Sequence, residues 1–294
     1  MWTETLKVQG PYNFDLVLDR LMNDPLNVID KEQRSVKVPL RIEGRPIVIE
    51  VRAIGSTDDP AFSISSNSEG DKEAAINRLK KIFHWHQPLS DISSHFMDTD
   101  LMGIFEEHRG TAIVLDFDYY GCLVKCIIHQ QLNLKFAYTL TARFVQTFGI
   151  QRDGVWFYPT PETTAEITIA ELREIQFSGR KAEYVTGLAK AIVQGELNLE
   201  QLIERSDAEI LESLTKQRGI GKWTAENFLL FGLGRPNLFP MADIGLQNAL
   251  KQLYNLPQKP TIIEMEAYTK NWSPFLSYAS LYLWRSIEKR SENK

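Results

Sequence analysis

Apolar and polar side chains alternate from Val36 to Ile54 on either side of Glu43-Gly44-Arg45-Pro46, the pattern of two half-buried strands joined by a turn. A further strand is expected at Phe62 to Ser65. The Ser/Asn/Gly-rich stretch from Ser65 to Gly70 then breaks the chain before a helix from about Lys72 to His86, which Pro88 closes. From Asp91 the apolar residues take helical spacing through Phe105, and a connector runs to Asp118. Beyond it, nine runs fit the helical period: Cys122 to Gln131, Ala137 to Phe148, Ala165 to Ile175, Arg180 to Gln194, Leu199 to Arg205, Ala208 to Lys216, Thr224 to Phe231, Gly245 to Tyr254 and Ser277 to Lys289. The pattern predicts an α+β protein: a small mixed domain with an antiparallel sheet over 1–98, then a mainly α-helical region over 99–294. The basic cluster Lys289 to Lys294 reads as a solvated tail.

At 294 residues, 43% of them hydrophobic and 24% charged, the chain has the composition of a globular protein with a sizeable core. No run reaches the roughly 18–20 apolar residues that cross a bilayer, and the opening residues lack the basic and apolar regions of a secretory signal. A cytoplasmic monomer without membrane contact is the expectation. Cys122 and Cys126 are the two cysteines, too few for a disulfide framework or a four-cysteine cluster, and they read as core thiols. The five histidines show no metal-ligand spacing, so no metal site is expected.

The net charge of −5 argues against a polyanionic partner until it is divided along the chain. Residues 1–119 carry 13 Lys and Arg against 20 Asp and Glu, whereas residues 120–294 carry 20 against 18. The helical part is mildly basic, so the question passes to local motifs.

Between two amphipathic helices stands Gly219-Ile220-Gly221-Lys222-Trp223-Thr224-Ala225. Two glycines one residue apart permit a tight reversal, and Ile220 between them is placed to plug the core. The following helix begins with unpaired N–H groups beside Lys222, an arrangement that holds a phosphate without reading a base. A bridging monovalent cation on the turn's carbonyls would add to it. The same glycine pattern also occurs as a plain helix cap. Downstream, a Gly/Pro-rich loop from Gly232 ends at Asp243, in N-cap position before a new helix. Asp there stabilises the helix by about 1 kcal/mol, a sufficient structural reason for its presence. Fixed and ionised at that place, it is also suited to face the cationic sugar that develops as a glycosidic bond breaks, or to polarise the attacking water.

The turn followed by Asp243 resembles the signature of the helix-hairpin-helix (HhH-GPD) DNA glycosylase superfamily. The segments Phe157 to Glu162, Phe177 to Tyr184, Ile127 to Gln131 and Trp272 to Ala279 resemble its DNA-3-methyladenine glycosylase II branch, over roughly residues 100–290. The resemblance implies a base-excision repair hydrolase that removes alkylated purines of the 3-methyladenine type, flipped out of damaged duplex DNA, and leaves an abasic site. Asp243 is then the catalytic carboxylate. Relatives that also cut the backbone carry a lysine nucleophile where this chain has Trp223, so hydrolysis without a lyase step and without a required cofactor is expected. Trp223, Trp284, Asn227 and Tyr278 are assigned to the base pocket; Asn227 departs from relatives that are aromatic there. Gly219, Gly221, Lys222, Thr224, Gln130, Gln131 and Leu132 are assigned to DNA, with Gln131 or Leu132 wedged into the duplex. His129 is read as structural or DNA-facing, and Tyr282 and Phe275 as core. Two other readings stay open: a glycosylase for oxidised or deaminated purines, and a non-catalytic DNA-binding protein that keeps the hairpin.

Overall fold

Strict alternation of inward Val36, Val38 and Leu40 with outward neighbours forces the strand β3 (Ser35–Ile42), and Ile47, Ile49 and Val51 do the same for β4 (Arg45–Ala53). In the computed structural model, which describes residues 1–68 and 70–288, these six side chains share one buried face: Val36 lies opposite Val51, Val38 opposite Ile49 and Leu40 opposite Ile47. Glu43 and Gly44, with φ of 49° and 77°, make the two-residue reversal. With β1 (Trp2–Lys7), β2 (Val28–Asp30) and β5 (Ala61–Ser66) they complete an antiparallel sheet in the order β1-β5-β4-β3-β2.

On this sheet lie α1 (Phe14–Leu21), which buries Phe14, Val17 and Leu18, and α2 (Lys72–Ile82), which buries Ala75, Leu79 and Ile82. Then come α3 (Leu89–Phe96), α4 (Met102–Glu107), α5 (Tyr119–His129), α6 (Leu134–Phe148) and a short hairpin of β6 (Ile150–Arg152) and β7 (Val155–Phe157). Next are α7 (Pro161–Glu166), α8 (Ile169–Glu174), α9 (Gly179–Val193), α10 (Leu199–Leu202), α11 (Asp207–Thr215) and α12 (Lys222–Asn227). The last three are α13 (Ile244–Leu253), α14 (Ile262–Tyr268) and α15 (Leu276–Glu288). The molecule is α+β, as the periodicities predict.

Two expected helices differ in detail. The run Ala165 to Ile175 is broken at Ile167, whose ψ of 130° is extended, because Thr168 caps α8 in a reciprocal box with Glu171. The run Thr224 to Phe231 leaves α-geometry after Asn227 and continues as a π-helical turn, Phe228 to Gly232. Elements without a reading in the pattern are β1, β2, α1, the β6–β7 hairpin and α14. Glu69 and the expected tail at 289–294 lie outside the described residues.

Buried side chains form two clusters. One joins the sheet and α1–α4 to α13 and α15, through residues such as Phe83, Phe96, Leu101, Leu246, Tyr278 and Leu283. The other is built from α5 to the π turn, with Cys122, Ile127, Phe144, Val185, Ile220 and Phe228 among its members. Positions 98 and 99 fall within the stretch that supplies Phe96 and Leu101 to the first cluster. The chain therefore crosses into the second core and returns, leaving a cleft between the cores. Both cysteines are buried and unbridged. No helix of the described residues is long and apolar enough to cross a membrane.

Candidate active site

The hairpin is fixed from behind. Gly219 has φ +91°, and a Cβ there would sit 2.1 Å from the Tyr184 ring, so both the turn and the close approach of α9 require glycine. Ile220 is buried in the second core. The amide of Gln130, at the end of α5, donates to the Gly219 carbonyl at 2.8 Å and to Thr224 Oγ1 at 2.8 Å. Gln130 and Thr224 thus brace the hairpin internally. Thr224, only 1% exposed, is removed from the expected DNA-facing set, because its hydroxyl is held inside the fold. Gly221, by contrast, is exposed, with no atom within 4 Å of the place a Cβ would take, and the Lys222 side chain is 79% exposed.

Next to the hairpin, Gln131 turns the chain between α5 and α6 with φ 57° and stands exposed, while Leu132 is half-buried against the second core. The ammonium of Lys181 donates to the carbonyls of Ile127 and Gln130, satisfying the end of α5 and holding this turn. His129 donates to or accepts from Thr141 at 3.1 Å. Burial, aided by the Lys125 charge, lowers its pKa to about 3, so it is neutral at pH 7 and no proton shuttle.

Asp243 caps α13. Its Oδ1 accepts both the Leu246 N–H and the Trp284 indole N–H at 2.9 Å, while Oδ2 makes no hydrogen bond with other described residues. One carboxylate oxygen is fixed and the other is left for a ligand. Gly245 allows this pairing, since a Cβ there would lie 2.9 Å from Asp243 Oδ1 and 3.1 Å from the Trp284 ring. Gly245→Ala should therefore lower base release about tenfold, roughly 1.4 kcal/mol, even though alanine is the better helix former. Single-turnover release with a parallel thermal melt checks this; a fully active variant would mean that the pair tolerates displacement.

Asp243 and Trp284 line a cleft of about 1440 Å³, and Trp223 and Asn227 line an adjoining hollow of about 270 Å³. The two share Arg20, Asp116, Lys125, Leu134, Tyr138 and Phe231, none of which sequence reasoning singled out. Phe231, carried by the π turn, stacks obliquely on Trp284 at 5.9 Å. Asn227 donates to the Trp223 carbonyl at 2.8 Å, which leaves its amide oxygen without a protein partner among the described residues. Tyr278 is misplaced in the pocket set: it is 1% exposed, belongs to the first core and approaches His84 Nδ1 at 3.4 Å. Its helical face points to the sheet domain. Tyr282, stacked on Phe105 at 3.8 Å, is core as expected.

Two lysines line the cleft, Lys81 and, from the middle of α5, Lys125. Lys125 pairs with Asp116, both largely sheltered. Burial works against its charge, but the fields of Asp116, Tyr138 and Asp24 outweigh that and raise its pKa above the ordinary lysine value. A protonated amine is no nucleophile.

Residues 124–274 match the model of the HhH-GPD superfamily base excision DNA repair proteins. The chain is 53% identical, over 98% of its own length and 100% of the relative's, to the Bacillus subtilis (strain 168) protein YfjP, provisionally a DNA-3-methyladenine glycosylase. Its fold superposes with a TM-score of 0.84 and 25% identity on a 3-methyladenine DNA-glycosylase from Archaeoglobus fulgidus, over 97% of each chain. Against the Schizosaccharomyces pombe 3-methyladenine DNA glycosylase Mag1 in complex with abasic DNA the TM-score is 0.60, with 27% identity over 67% of this chain and 96% of the other.

Proposed function

The chain belongs to the HhH-GPD superfamily of base excision DNA repair proteins, and on that premise we propose that it is a monofunctional DNA glycosylase hydrolysing the N-glycosidic bond of alkylated purines. The observation that carries this reading is the divided use of Asp243, which lines the cleft: Oδ1 is engaged twice, and Oδ2 has no hydrogen-bond partner among the described residues. With a nucleotide everted into the cleft, Oδ2 stabilises positive charge growing on the sugar and orients a water toward C1′. The C1′–N bond breaks with its electron pair passing to the base, water oxygen bonds to C1′, and the water's proton is released to the carboxylate or solvent. An alkylated base that begins cationic leaves neutral, so no second acid is needed.

The remaining residues divide the labour. Trp223 and Trp284 offer aromatic faces to a cationic base. The exposed edge of Gly221 and Lys222 receives a backbone phosphate without reading sequence. A monovalent cation at the hairpin would use the second lone pair of the Gly219 carbonyl, whose first already accepts the Gln130 amide. It would supply positive charge near a phosphate and take no part in base removal. Gln131, exposed and held by its strained turn, is the side chain placed to enter the gap left in the duplex; Leu132 packs inward behind it.

Incubation with duplexes containing 3-methyladenine, 7-methylguanine, 1,N6-ethenoadenine, hypoxanthine or 8-oxoguanine, followed by alkali, tests the activity. Release of the alkylated purines is expected. Borohydride should trap no enzyme on its substrate, because Trp223 replaces the nucleophilic lysine and Lys125 is held protonated. Efficient trapping would reveal an amine attack on the sugar.

A further inference from the structure

The front domain lines much of the cleft, and among its described residues Arg20 alone also lines the adjoining hollow. Arg20, in the last turn of α1, places its guanidinium carbon 4.2 Å from the centroid of Phe231 and lines both the cleft and the adjoining hollow. Other arginines along the cleft are engaged: Arg41 donates to the Tyr158 carbonyl, Arg78 to the Tyr119 hydroxyl and the Phe117 carbonyl, and Arg285 lies 3.5 Å from Glu288. The Arg20 guanidinium makes no hydrogen bond or direct ion pair with any described residue, although the charges of Asp116 and Glu288 reach it through space. From Arg20 the contacts run to Phe231, to Trp284 and to Asp243 Oδ1, so a front-domain cation stands three contacts from the carboxylate proposed for base removal.

A guanidinium carries five N–H donors in one plane and no acceptor. Purine edges accept such bonds through ring nitrogen lone pairs or a carbonyl oxygen, and Arg is well suited to two adjacent acceptors. Alkylation at a ring nitrogen changes both terms: it uses up that lone pair and leaves the base cationic, so Arg20 loses an acceptor and meets a like charge. Between the aromatic faces, which favour cations, and this unpaired cation, which disfavours them, the outcome depends on the charge of the base.

We propose that Arg20 is a specificity-determining residue that hydrogen-bonds the acceptor edge of an everted purine and biases the site toward neutral modified purines over cationic ones. This rests on the reading of the cleft as a base-excision site. Through Arg20 the sheet domain takes part in substrate choice as well as in the core.

Single-turnover release from duplexes carrying hypoxanthine or 1,N6-ethenoadenine, set against 3-methyladenine or 7-methylguanine, tests it with the full-length protein and its Arg20→Met and Arg20→Lys variants. The ratio of neutral to cationic release should fall about tenfold or more in Arg20→Met. Arg20→Lys keeps the charge and stem but not the planar fork, and should lower the ratio as well; it carries the test if the methionine variant does not fold. Ratios within about twofold of the parent in the folded variants overturn the role of Arg20, as does an equal loss on all lesions, which is what a purely structural residue would give. A parent that releases none of the four bases overturns the glycosylase reading itself, and this proposal with it.

Discussion

Asp243→Asn should reduce base release by roughly 10²–10⁴-fold while leaving the fold and the grip on abasic DNA in place. The two effects separate because the two oxygens of Asp243 have separate duties. Asparagine keeps an oxygen to accept the Leu246 and Trp284 N–H groups, each at 2.9 Å in the parent, and as an N-cap it is about as good as aspartate. What it loses is the negative charge at the helix N-terminus, about 0.3–1 kcal/mol of stability, and with it the anion facing the sugar. A melting temperature lowered by only a few degrees is therefore expected. Single-turnover release of 3-methyladenine and binding to an abasic-site duplex, measured on the same preparation, give the comparison. Equal release by variant and parent would remove Asp243 from the chemistry.

What could be read from the sequence was local. The β3–β4 hairpin shows itself because one face is wholly apolar and Glu43-Gly44 supplies a reversal in place. Gly219 and Asp243 were readable for a similar reason: each does its work within a few residues of its own backbone, at a turn and at a cap. Even the break between α7 and α8 had a signal in Thr168 and Glu171, three apart, which the run of helical spacing obscured. The shared wall of the two hollows had none. Arg20 comes from α1, Lys125 from α5, Tyr138 from α6 and Phe231 from a π turn, and no periodicity links positions that meet only after both cores close. Tyr278 illustrates the opposite failure. Its place on α15 is right, but helical spacing says which residues share a face and not what that face meets, and here it meets His84 of the sheet domain.

Gly219→Ala and Gly221→Arg should both weaken binding to abasic-site DNA, and for reasons that a melt can tell apart. At Gly219 the backbone is left-handed, which costs an L-residue about 1–2 kcal/mol, and the added Cβ would meet the Tyr184 ring at 2.1 Å. The turn must move, carrying the carbonyl that Gln130 holds. Lower stability and an affinity loss of about tenfold or more are expected together. At Gly221 φ is −93° and nothing lies within 4 Å of an added Cβ, so the arginine fits the folded protein and the melting temperature should hold. Its side chain would occupy the space through which a phosphate reaches the backbone N–H groups of α12. An added positive charge ordinarily strengthens binding to DNA; weaker binding in spite of it is the mark of a blocked contact. Titrations from about 50 to 200 mM salt should also give a shallower dependence of log K on log salt. A Gly221→Arg protein with the parent's affinity and salt slope would mean that the phosphate is held elsewhere on the surface.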